Sequence, residues 1–77
     1  MDREIILDKI RNIIFEIADI NKEDILEDSS MMDDLSLSSM EVFAVIAEVE
    51  EAFFFKVSEK DLRNIITVKD LVDCVGQ

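Results

Sequence analysis

Turns in folded chains lean on two residue types: proline presets φ, and glycine reaches positive φ without steric cost. This chain of 77 residues has no proline, and its one glycine, Gly76, stands next to the last position. Strand-rich folds usually place such residues at their turns, so their absence favours helices joined by loops of ordinary residues. Hydrophobic residues make up 49% of it, enough for one small core, and the length sets the expectation of a single domain over residues 1–77.

Helical periodicity supports this reading. Ile6, Ile10, Ile13 and Ile17 share one face of a helix from Asp2 to Ala18, with Ile14 beside them and the acids Asp2 and Glu4 at its positive end. Residues 19–37 lose the period yet keep Ile20, Ile25, Leu26, Met31, Met32 and Leu35, which predicts a long loop pinned to the core. Ser38 and Glu41 then form S-x-x-E, a capping box, with Leu37 and Val42 placed as its hydrophobic staple. Ser38 is thus the expected N-cap and Ser39 the first helical residue. Val42, Ile46, Val49 and Phe53 form the predicted buried stripe, with Val45 adjacent. Ser58 with Asp61 marks a short helix over Ser58–Asn64, and Thr67 with Asp70 starts a last one carrying Val68, Leu71, Val72 and Val75. The fold class that follows is all-α: a small four-helix bundle with a long first loop and a short third helix.

Charge narrows the partners. Nineteen acids against eight bases give a net charge of −11. Residues 19–38 carry −6 and residues 39–51 carry −4, while the two ends are close to neutral. Such a field repels nucleic acid and anionic membranes and attracts basic protein surfaces. The longest uninterrupted apolar run, Val42 to Ala47, is too short to cross a bilayer, and no signal peptide opens the chain. Cys74 is the single cysteine, so no internal disulfide forms; it is expected to pack as a small apolar residue in a reducing cytoplasm.

Catalysis finds little support. The chain has no histidine, no tyrosine and no glycine-rich phosphate loop. Asp19 to Ser30 is a poor calcium loop, because Asp24 stands where the turn needs glycine and Ser30 where a bidentate glutamate is required. What remains is Ser39, a hydroxyl at a helix start, where free N–H groups and the helix dipole favour a phosphate. Read alone, Ser39 is better explained as an ordinary helix-start residue, since serines are common there and Ser38 is already one as the cap.

The wider pattern resembles a known family. Asp34-Leu35-Ser36-Leu37-Ser38-Ser39-Met40-Glu41 is similar to the acyl carrier protein signature D-L-G-x-D-S-L-D/E. Upstream, Ser30 to Leu35 resembles S-F-x-x-D-L; downstream, Glu50-Glu51, Phe53 and Ile66-Thr67-Val68 resemble the family's acidic pair, core phenylalanine and last-helix start. Ser36 stands for the usual glycine and Ser38 for the aspartate that helps the attaching synthase engage. The resemblance implies a non-enzymatic carrier with 4'-phosphopantetheine attached covalently at Ser39, its thiol holding acyl groups as thioesters. The implied partners are a phosphopantetheinyl transferase and acyl-chain-processing enzymes with basic docking patches, meeting a cytoplasmic monomer. Met40, Glu41, Ala44, Ala47, Glu48 and Glu51 are the expected docking residues, the glutamates steering and the small apolar side chains setting the fit. Fatty acid, lipid or polyketide synthesis is the implied setting. A peptidyl or aminoacyl carrier, or an unmodified acidic adaptor for a basic protein, stays open as an alternative.

Overall fold

The computed structural model describes residues 2–76. Four helices follow one another: α1 (Arg3–Ala18), α2 (Ser39–Phe53), α3 (Glu59–Asn64) and α4 (Val68–Gly76), with one 3₁₀ turn at Lys22–Asp24. They form a body of 26 × 24 × 20 Å. This is the all-α, small four-helix arrangement that the sequence predicts. Among the described residues no β-strand forms, only a lone antiparallel bridge between Ser30 and Thr67.

α1 is the hub, packing against both α2 and α4. Asp2 lies just outside it as the N-cap, its carboxylate accepting from the Glu4 N–H at 3.0 Å. Ile6, Leu7, Ile10, Ile13 and Ile14 are buried, each contributing roughly 1.5–3 kcal/mol when fully removed from water. Ile17, predicted on the same stripe, is half-buried, because the last turn of the helix reaches the edge of the core. On α2 the stripe is buried at Val45, Ile46 and Val49, whereas its outer members Val42 and Phe53 are half-buried at the two ends. α3 buries no residue fully and leans on the core through Leu62. α4 buries Val68, Leu71 and Val72, with Val75 half-buried. Cys74 packs half-buried against the core as expected, and burial, with Asp61, Asp70 and Asp73 nearby, pushes its thiol pKa up.

The long loop is pinned, but by fewer side chains than the sequence implies. Ile25 and Met31 are fully buried, and Leu35 and Leu37 are buried, while Leu26 and Met32 are each 55% exposed. Neighbours in a non-helical backbone point to different sides, so one member of each apolar pair faces the core and the other faces water. Backbone bonds complete the attachment to the start of α4: the Met31 N–H donates to the Ile66 carbonyl, and the Val68 and Lys69 N–H groups donate to those of Ser29 and Glu27. The Arg11 Nε–H donates to the Ile25 carbonyl at 2.8 Å.

A chain whose only glycine is Gly76 must turn with ordinary residues. Asp19 ends α1 at φ 57°, Phe54 ends α2 at φ 55°, and Ser36 turns the loop at φ 58°. The left-handed region costs a non-glycine residue roughly 1–2 kcal/mol. Arg3 pairs with both Glu27 and Asp73, and Lys69 also pairs with Asp73, joining α1, the loop and α4.

Candidate functional site

The turn before α2 is built from backbone N–H groups and oxygen acceptors. The Ser30 N–H donates to Asp34 Oδ2 at 2.7 Å, the Asp33 N–H to Ser30 Oγ at 3.2 Å, and the Leu37 N–H to the Met31 carbonyl at 2.9 Å. These bonds set Leu37 into the core and turn the chain at Ser36. Ser36 makes this turn at φ 58°, in the left-handed region that glycine enters without steric cost.

The capping box then forms as predicted. The Glu41 N–H donates to Ser38 Oγ at 3.1 Å, and the Ser38 N–H donates to Glu41 Oε1 at 2.9 Å. Leu37 is buried and Val42 packs against the same core, as a staple requires. The two serines therefore differ. Ser38 uses its hydroxyl to cap the helix, whereas Ser39 is exposed and its hydroxyl has no partner among the described residues. The N–H groups of Ser39 and Met40 lie in the first turn, where helix N–H groups have no partner within the helix and favour a phosphate. An exposed, unpartnered hydroxyl beside such groups fits covalent attachment of a phosphate-linked arm. Among the described residues no group of three or more acids or cysteines is placed to hold a metal ion.

The exposed face of α2 begins at the same point. Met40 is 81% exposed, and Ala44, Ala47, Glu48 and Glu51 are all exposed. Glu41 differs from the expectation: it is half-buried, because its carboxylate folds back to close the capping box. On α2 and at its end, two exposed aromatic residues escape the sequence reading. Phe43 is 57% exposed and Phe54 94%. Phe43 was findable, since it sits three residues from Met40 and four from Ala47 on the same face. Among the described residues no cation lies within ion-pairing distance of Glu41, Glu48, Glu50 or Glu51. Beside the first turn of α2 lies a cleft of about 200 Å³, lined by Ser30, Met31, Met32, Asp33, Val42, Ile65 and Ile66.

Comparison with known proteins agrees with this geometry. A family described as the phosphopantetheine attachment site matches residues 8–75. The chain is 35% identical to the acyl carrier protein of Coprothermobacter proteolyticus over 75 residues, covering 97% of this chain and 92% of that one. It is 33% identical to that of Rubrobacter xylanophilus, covering 97% and 93%, and 36% identical to that of Buchnera aphidicola from Schizaphis graminum, covering 88% and 86%. The match displaces the unmodified adaptor as a reading. Carriers of this kind meet a phosphopantetheinyl transferase and acyl-processing enzymes. No helix among the described residues is long and apolar enough to cross a membrane. An exposed hydroxyl at a helix start, a field of one sign on that helix and a family match over most of the sequence lead to one assignment: the chain belongs to the acyl carrier protein family, non-catalytic carriers of acyl groups on covalent 4'-phosphopantetheine.

Proposed function

We propose that Ser39 is the attachment residue and that α2 from Met40 to Glu51 is the docking face, in a single carrier domain spanning residues 1–77. The observation that carries this reading is the division of labour between neighbouring serines: Ser38 Oγ accepts from the Glu41 N–H, while Ser39 is exposed and its hydroxyl has no partner among the described residues. In the transfer reaction the Ser39 oxygen bonds to the phosphorus of coenzyme A that bears the pantetheine, and the nucleotide phosphate leaves. The transferase takes the hydroxyl proton, and magnesium offsets the pyrophosphate charge. The bound arm supplies a thiol that holds acyl groups as thioesters. The residues of this chain would position it: the capping box fixes the first turn of α2, whose N–H groups without intrahelical partners would favour the phosphate.

Docking rests on Met40, Ala44, Ala47, Glu48 and Glu51, joined by Phe43, with Glu41 adding charge from within the cap. Unpaired carboxylates speed encounter with a basic partner, and the low apolar strip sets the fit. The apolar lining of the 200 Å³ cleft beside Val42 favours acyl cargo over aminoacyl cargo, in fatty acid or related lipid or polyketide synthesis. The carrier works as a monomer, since two copies of a chain with net charge −11 repel one another, and a reducing cytoplasm suits its free cysteine, Cys74.

Intact mass after incubation with coenzyme A and a phosphopantetheinyl transferase tests the assignment. Wild type and Ser38→Ala gain one arm, Ser39→Ala gains none, and Ser38→Ala loses about 1 kcal/mol of stability with its cap. An arm retained by Ser39→Ala and lost by Ser38→Ala moves the site to Ser38.

A further inference from the structure

We propose that Phe54 is a second anchor on this carrier, seated by acyl-chain-processing enzymes in an apolar pocket edged with lysine or arginine. The proposal rests on the α2 docking reading and extends it to the opposite end of that helix.

Phe54 is a poor residue for its position unless its ring has work to do. It closes α2 in the left-handed conformation at φ 55°, where glycine or asparagine serves better, and the residue is 94% exposed. Its neighbours Phe53 and Phe55 are half-buried against the core, so the aromatic packing of this corner is already supplied. The ring stands at the edge of a groove of about 310 Å³ between α1 and α2. Ile13 and Ala52 give the groove an apolar lining; Glu16, Glu48, Glu51 and Lys9 edge it, three carboxylates to one ammonium. A flat apolar ring beside a net negative rim fits a partner that offers an apolar slot with basic edges. A second copy of this chain does not, because its own acids would meet these.

Position sets the role. Glu48 and Glu51 belong both to the groove and to the face that starts at Met40, so the anchor continues the docking surface. Fifteen residues of helical rise place Phe54 about 22 Å along the axis from Ser39. At that distance it acts on complex formation, and attachment at Ser39 does not need it.

The test compares the arm-bearing wild type with Phe54→Asn, which keeps a residue that tolerates positive φ, and with Phe54→Trp, which keeps a ring. The probes are the purified phosphopantetheinyl transferase and acyl-chain-processing enzymes of the same genome. Phe54→Asn is expected to melt at or above the wild-type temperature and to accept the arm at the wild-type rate. Its Kd for at least one acyl-chain-processing enzyme should rise tenfold or more, with Phe54→Trp restoring binding to within threefold. Kd values for Phe54→Asn within twofold of wild type for every enzyme would overturn the anchor, as would parallel loss of melting temperature and arm attachment. Glu48→Lys separates the two readings: if it weakens binding while Phe54→Asn does not, the α2 face stands and the anchor falls.

Discussion

Acids do different work in two regions of this molecule. Where α1, the loop and α4 meet, carboxylates face cations as well as backbone N–H groups: Arg3 bridges Glu27 and Asp73, Lys69 holds Asp73, and Asp70 accepts from the Ile66 and Thr67 N–H groups. Around α2 they face backbone N–H groups or water. Asp34 accepts from Ser30, Glu41 from Ser38 and Glu50 from Val57, while Glu48 and Glu51 have no cationic partner among the described residues. An ion pair cancels the field it is built from. A backbone N–H fixes a carboxylate in place and leaves its net charge intact. The fold thus uses acids as structural acceptors at the docking end while keeping the negative potential that a basic partner senses.

Exchanging charge in the two regions should give opposite results, and this is the largest effect expected. Glu48→Lys should slow association with a basic partner enzyme about tenfold at low salt, with the gap closing as ionic strength rises, and leave the melting temperature unchanged. Arg3→Ala should lower the melting temperature and leave association unchanged. Stopped-flow association and thermal melts on both variants supply the measurement. Equal slowing by Arg3→Ala would mean that the whole surface steers the encounter and that the regions are not distinct. Glu41 is the wrong residue for this purpose, because reversing it would also open the capping box.

Much of this arrangement is legible in the sequence where the contacts are local. Ser38 and Glu41 are three residues apart, so their reciprocal cap is visible in the letters, as is the α1 stripe from Ile6 to Ile14. The cap of Ser58 on Asp61 and the mutual bonds of Thr67 and Asp70 are read the same way. Arg3 with Asp73 is not, since 70 positions separate them and only the fold brings them together. In the loop, composition identifies apolar residues without a period to assign them sides, hence the exposure of Leu26 and Met32. Phe54 lies one residue past the end of α2, where the left-handed backbone takes it off the helical face that periodicity describes.

Acid separates the regions by a smaller effect. Lys69 and then Arg3 hold the Asp73 carboxyl below the usual carboxylate range. At Asp70 burial pushes upward, but the Thr67 and Ile66 N–H groups and the Thr67 hydroxyl outweigh it and leave the carboxyl lowered. A carboxyl lowered by folding stabilises the fold above its unfolded value, about 3.9, and that contribution disappears as pH falls through the folded value. Melting temperatures recorded from pH 7 to pH 2 should therefore drop below about pH 4. Asp70→Asn and Asp73→Asn should each flatten the drop. A drop that neither substitution flattens would place the acid-sensitive part of the fold away from α4.

The smallest expected effect isolates backbone from charge at the docking end. Ser36 turns the chain into α2 at φ 58°, so Ser36→Gly removes a Cβ clash without altering any carboxylate. Glycine also widens the unfolded ensemble, which offsets part of the gain, and the net change should be about 0.5–1 kcal/mol of added stability. Association with basic partners should not move, because the potential is untouched. Asp19→Gly, at φ 57° beside the 3₁₀ turn, should gain less, since aspartate tolerates the left-handed region better than serine does. Denaturant midpoints of the two variants test this ordering. If Ser36→Gly stabilises the fold and also accelerates arm attachment at Ser39, the strained turn restrains the transferase as well as the fold. If it stabilises without that acceleration, the cost of Ser36 is purely conformational, and the charges on α2 alone govern how partners arrive.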